Sequence, residues 1–252
     1  MGLEVIVLGA SGTFPQPGLA CSGYLLRSGS TDVWLDCGPG TFANLQRHTD
    51  YHMLSAVVLS HLHIDHILDV FPFYHGLAYS RDSRGPRGIP VHAPAGAKDH
   101  LRRLLTPGVG DAFCTYLSFQ VISDQSEFAV GDIRLRFARS RHPIETLAVR
   151  AEVDGRVVAY TADTGPSPGV TELARGSDVL IAEASLHQPD PDLADVHMTA
   201  EEAGAMAAEA GVGMLVLTHI SPGLDPEESV ALARGRYGGE IVLAADNLRL
   251  DV

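Results

Sequence analysis

Four residues that bind metals well, three His and one Asp, stand within the run Ser60-His61-Leu62-His63-Ile64-Asp65-His66, as H-x-H-x-D-H. The chain has 12 histidines in 252 residues, so three of them here, interleaved with a carboxylate, exceed chance. Imidazole and carboxylate without a thiolate suit zinc first, with manganese or iron as alternatives. In an extended loop His61 and His63 point the same way and can share one ion. If the chain then turns into a helix, Asp65 and His66 project elsewhere and suit a second ion. Two such ions, about 3.5–4 Å apart, need a bridging carboxylate and a shared water.

The partners that such a pair requires sit at the ends of other apolar runs. Asp163 follows the run 156–160 in "YTADTG", and His219 follows 215–217 in "LTHISPG". His142, in "SRHPIE", precedes a run that begins at Leu147. In open α/β sheets ligands gather beyond the carboxyl ends of strands, so loops after such runs can converge. Asp154-Gly155 between two β-rich runs predicts a hairpin, which returns the chain after Tyr160 to the edge near His142.

The positioning elements follow from hydrophobic patterning. Strands are predicted over 3–9, 22–27 and 32–36, a helix over 41–47, a buried strand over 56–60 and a helix from about 64. A second strand group is predicted to begin near Phe119 and is clearest at 147–153 and 156–160. Helices over 169–175, 200–210 and 226–236 alternate with strands over 179–182, 214–217 and 240–244. Thr199-Ala200-Glu201-Glu202 has the form of a capping box, and Gly211 is placed to end that helix. Strand groups at both ends of the chain predict two facing sheets with helices outside.

Composition narrows the function classes. Net charge is −13, from 18 basic and 31 acidic residues. That balance disfavours an extended nucleic-acid footprint, which needs clustered Lys and Arg. No apolar run approaches the roughly 18 residues of a membrane span, and the start lacks a basic flank with a cleavage site. Three cysteines, Cys21, Cys37 and Cys114, form neither a disulfide framework nor a zinc knuckle. The expectation is a soluble cytoplasmic protein without membrane partners, in which Cys37 is packed rather than nucleophilic.

H-x-H-x-D-H, the isolated His142, Asp163 and His219, together with "LGASGTFP" and "WLDCGPGT", resemble the metallo-β-lactamase superfamily over essentially the whole chain. The resemblance implies an αββα four-layer sandwich of two mixed sheets, a single hydrolase domain over 1–252, and a dinuclear site at one sheet edge. It implies that His61, His63 and His142 hold one divalent ion, zinc first, that Asp65, His66 and His219 hold another, and that Asp163 bridges. Asp36 would orient the ligand loop.

"AEAS" at 182–185 and "VHMTAEEAG" at 196–204 resemble the ribonuclease Z-like phosphodiesterase branch, notably actinobacterial enzymes that open cyclic nucleotides. That likeness implies His197 as the proton donor to a leaving oxygen, Glu183 as its partner, and Asp65 in a catalytic role beside its metal. Ribonuclease Z itself carries a long basic arm between the isolated His and the bridging Asp. Here the span 143–162 holds only the hairpin, and "THISPG" departs from the ribonuclease Z pattern.

The expected activity is hydrolysis of a small phosphodiester, of the cyclic-nucleotide kind. The alternatives are tRNA 3′ processing and lactone or thioester hydrolysis by the same site. Many relatives form homodimers, although no stripe of residues marks an interface. Of the other histidines, His48, His52, His92 and His100 are assigned to surfaces or strand ends. His75 and His187 are candidates for lining the pocket.

Overall fold

Two seven-stranded mixed sheets face each other in the computed structural model, which describes residues 2–80, 85–106, 108–193 and 195–252. The first contains β1 (Glu4–Gly9), β2 (Gly23–Ser28), β3 (Thr31–Leu35), β4 (Ala56–Val58), β5 (Ile89–Ala93) and β6 (Leu117–Val121). The second contains β7 (Glu127–Val130), β8 (Ile133–Arg139), β9 (Leu147–Val153), β10 (Arg156–Tyr160), β11 (Val179–Glu183), β12 (Met214–Thr218) and β13 (Glu240–Leu243). The last strand, β14 (Arg249–Asp251), returns to the first sheet and pairs antiparallel with β1.

The central strands are apolar on both faces because both faces are covered. Val5 and Val7 of β1 share one buried cluster with Leu135, Val149 and Val158 of the opposite sheet. Ile6 and Leu8, on the other face of β1, join a cluster under α1 (Thr41–Leu45), α2 (Ile64–Ile67) and α3 (Val70–Tyr79). α4 (Ala97–Arg103) and α5 (Val109–Tyr116) carry the chain between the parallel strands β5 and β6. The second sheet is covered by α6 (Pro168–Ala174), α7 (Ala200–Ala210) and α8 (Pro226–Arg234). This is the four-layer sandwich expected from the resemblance.

One expectation needs correction. The strand near Phe119 does not open the second sheet: it is β6, an edge strand of the first. The last strand, β14, also joins the first sheet and closes the edge beside β1. Among the described residues no helix is long and apolar enough to cross a membrane.

Candidate metal centre

After β4 the chain remains buried through Leu59 and Ser60, and the end of β3 pins it there. The fully buried Asp36 carboxylate accepts from Ser60 N at 2.7 Å and Ser60 Oγ at 2.8 Å. It also accepts from His66 Nδ1 at 2.8 Å and Tyr160 Oη at 3.0 Å. One aspartate thus ties β3, the H-x-H loop, α2 and β10 together. Gly38 has a steric reason to be glycine, since a Cβ there would lie 2.2 Å from the Asp65 carbonyl oxygen.

The donors fall into two groups that meet at Asp163. One donor atom from each of His61, His63, His142 and Asp163 lies within 4.8 Å of the others, and the same holds for Asp65, His66 and His219. Asp163 Oδ2 is 3.7 Å from His61 Nε2, whereas Oδ1 is 3.3 Å from His66 Nε2 and 3.5 Å from His219 Nε2. Each oxygen of one carboxylate therefore faces a different group.

The outward ring nitrogens have acceptors. His61 Nδ1 donates to Ser60 Oγ (3.0 Å), His142 Nδ1 to the Val196 carbonyl (3.0 Å) and His219 Nδ1 to Ser185 Oγ (2.9 Å). Protonation there leaves lone pairs on the inward nitrogens. His66 Nε2 and His219 Nε2 face each other at 3.4 Å, and His63 Nδ1 faces His142 Nε2 at 3.2 Å. His61 Nε2 and Asp163 Oδ1 are buried with no hydrogen-bond partner. Lone pairs turned on one another, with orphaned buried acceptors, are the arrangement a cation satisfies. The residues present fit divalent ions.

The backbone is unusual at the same place. Asp36, Ala162 and His219 all have left-handed φ, at 57°, 52° and 53°, which non-glycine residues rarely adopt. The electrostatics are coupled across Asp163. Burial disfavours its charge, but His219 and His66 outweigh burial and hold it well below the usual carboxylate range. Burial and the neighbouring His66 push His61 down.

Beside this set stands His197. Its Nδ1 donates to Glu183 at 3.1 Å (Oε1) and 3.2 Å (Oε2), and Glu183 ends β11 fully buried. Glu183 also accepts from Ser185 Oγ (2.6 Å) and from the backbone N–H groups of Thr164 and Met198. Burial opposes charge on His197, but the bond and charge of Glu183 outweigh it and raise its pKa. A cleft of about 380 Å³ opens over these groups, bordered by His63, Asp65, Asp163, His197 and His219. His197 also lies within 4.8 Å of Asp163 and His219 donors, close enough to be considered a ligand on distance alone.

A sequence family described as "Beta-lactamase superfamily domain" matches residues 31–220. The chain belongs to the beta-lactamase superfamily. Rv1339, an uncharacterised protein of Mycobacterium tuberculosis, is 33% identical over 96% of this chain and 89% of its own length. Ribonuclease Z of Mycobacterium bovis is 30% identical over 99% of this chain and 98% of its own. The crystal structure of the metallo-beta-lactamase fold protein YhfI from Bacillus subtilis superposes with a TM-score of 0.90 at 26% identity, covering 100% of both chains. This superfamily member is thus a metallo-hydrolase of the ribonuclease Z-like branch.

Within the superfamily frame the remaining histidines sort differently from expectation. His100, on α4, is exposed yet borders the cleft, where only the crossover from β5 to β6 could bring it. Nothing in its local sequence signals this. His75 instead lies among Tyr74 and Tyr79 on α3, and His187 Nε2 is 2.9 Å from Ser229 Oγ on α8. Neither borders that cleft. His52 and His92 are buried rather than superficial, the latter stacked on Phe128 at 4.2 Å. His48 is half-buried, 2.7 Å from Asn247 Oδ1. Cys37 is packed as expected, and burial pushes its thiol up.

Proposed function

We propose that this chain is a dinuclear phosphodiesterase for a small phosphodiester of the cyclic-nucleotide kind, with residues 1–252 acting as one hydrolase domain. The reading is carried by the His197–Glu183 pair beside donors that share Asp163. His61, His63 and His142 hold one ion, Asp65, His66 and His219 the second, and Asp163 bridges. Two bound divalent ions, zinc by donor chemistry, supply Lewis acidity and activate water at neutral pH.

The chain's own residues do the rest. With Nδ1 given to Glu183, His197 has Nε2–H left to donate, and a departing alkoxide oxygen needs that proton. Glu183 keeps the ring oriented and charged until transfer, and afterwards stabilises the neutral tautomer that donates from Nδ1. Asp65 accepts from Thr13 N at 3.0 Å, which fixes its orientation beside His219.

Two other readings use the same donors, and the first has an observation against it. The ribonuclease Z relative supports tRNA processing, but the span 143–162 is occupied by the β9–β10 hairpin and net charge is −13. Lactone or thioester hydrolysis would use the same donors but gives the acid pair less to do when the leaving group is a thiolate. Metal-loaded protein assayed against cyclic AMP, bis-p-nitrophenyl phosphate, precursor tRNA, a lactone and a thioester separates them. Turnover of the lactone or thioester without any phosphodiester would sink the proposal.

A further inference from the structure

The outer face of the second sheet carries an arrangement that the metal centre does not explain. A cleft of about 630 Å³ opens there, bordered by Arg136, Arg139, Arg150 and Arg175. It shares no bordering residue with the cleft over the metal donors. In a chain of net charge −13, four arginines around one cleft are a local reversal of sign.

The strand register makes the reversal sharper. Arg136 of β8 lies directly opposite Arg150 of β9, and like charges so placed are destabilising. On its other side Arg136 is opposite Glu127 of β7, yet the Glu127 carboxylate bonds Arg134 instead, at 2.8 Å to Nε. No ion pair is formed by the side chain of Arg136 or Arg139 among the described residues. Arg150 is held in place from below. Its Nη1 donates to the carbonyls of Leu173 and Arg175, both at 3.0 Å, and to Ser177 Oγ at 3.3 Å. Its side chain is only 12% exposed, its Nε has no partner, and Glu152 is no closer than 3.9 Å.

Two acids border the cleft and are already engaged. Glu172 pairs with Arg175 at 2.8 Å, and Asp124 accepts from Arg139 N at 2.9 Å. Arg136, without an ion pair, and Arg150, with a partnerless Nε, therefore stand side by side at the cleft. Guanidinium forks match phosphate oxygens, and a phosphate monoester offers three terminal ones to two such groups. The volume lies within the usual range for small-molecule sites.

We propose that this cleft is a second binding site, for a small phosphate monoester, separate from the metal centre. Arg150 is the fixed anchor, and Arg136, opposite it on β8, closes on the ligand. Occupation also relieves the Arg136–Arg150 opposition, which links ligand binding to the stability of the β8–β9 pair.

The test uses the full metal-loaded chain, titrated separately with adenosine 5′-monophosphate, inorganic phosphate and adenosine. Heat of binding and the Arg150 Nε–H signal in ¹⁵N-labelled protein are followed together. Either phosphate-bearing ligand should bind and move that signal, whereas adenosine should not; the two phosphate arms separate a free ion from an organic monophosphate. Arg136→Gln should weaken binding about tenfold or more. In phosphate-free buffer Arg136→Gln should be at least as heat-stable as the parent. Asp163→Ala should leave the Arg150 response intact. The proposal fails if the response is lost in Asp163→Ala, is undiminished in Arg136→Gln, or is produced equally by adenosine. Anionic vesicles moving the signal where monophosphates do not would overturn it in favour of a lipid surface.

Discussion

At the scale of single residues, Asp163 and His197 divide the proposed chemistry into holding and transferring. Asp163 turns one oxygen to each donor group. Elemental analysis of protein purified without chelator should therefore approach two ions per chain, and Asp163→Ala should lower occupancy at both positions. Two ions fully retained would remove the bridge. His197→Ala should keep its ions and fold but lose about 10²–10⁴-fold in turnover. The loss should shrink for a p-nitrophenolate ester, whose leaving group departs unprotonated; loss of metal instead would make His197 a ligand. The pH profile has a definite sign. His197 must be protonated to donate, so activity falls as pH rises through its pKa, which Glu183 raises. Glu183→Gln should therefore move the basic limb to lower pH, and an unmoved limb would separate the pair. The seven candidate donors were legible because each follows or precedes an apolar run. His100 was not, because its place depends on a crossover between distant strands.

At the scale of elements, α7 shows how local chemistry sets a boundary that function uses. Thr199 Oγ1 accepts from Glu202 N at 3.1 Å while Glu202 Oε2 accepts from Thr199 N at 2.8 Å, and Gly211 ends the helix at φ 63°. All three signals are local, so the helix bounds were readable from the sequence. Thr199→Ala should cost about 1 kcal/mol of stability by denaturant titration. It should also reduce turnover, because His197 stands two residues before that cap. Gly204 lies where α7 meets α8, and a Cβ there would be 2.4 Å from the Ala233 carbonyl oxygen. Gly204→Ala should lower the melting temperature although alanine is the better helix former by about 1 kcal/mol; a raised melting temperature would show that α8 simply moves away. The elements that escaped the sequence reading have another character. β14 is three residues long and largely exposed, and β5 is short, so neither offers a period to detect. The alternation Ile133-Arg134-Leu135-Arg136-Phe137 in β8 was present but lay between stronger signals.

At the scale of the whole molecule, charge and topology matter more than any one contact. Binding of tRNA depends on releasing counterions with basic side chains, which a chain of net charge −13 supplies poorly. Gel-shift and cleavage assays at physiological salt should show weak binding and poor processing of precursor tRNA, and efficient site-specific cutting would overturn the preference for a small substrate. The sandwich as a whole was legible from alternating strands and helices. The exchange of strands between its sheets was not, because pairing over such separations leaves no local trace. That exchange has a consequence for synthesis on the ribosome. β1 emerges early, yet its outer neighbour β14 and Asp246, which accepts from Ala20 N at 3.1 Å and Asn44 Nδ2 at 2.7 Å, emerge more than two hundred residues later. A nascent chain therefore carries an open, apolar β1 edge until β14 is made, although the H-x-H loop has long left the exit tunnel. The first sheet and its donor loop reach their final form only once β14 has emerged, which makes the growing polypeptide a natural client for chaperones that shield strand edges.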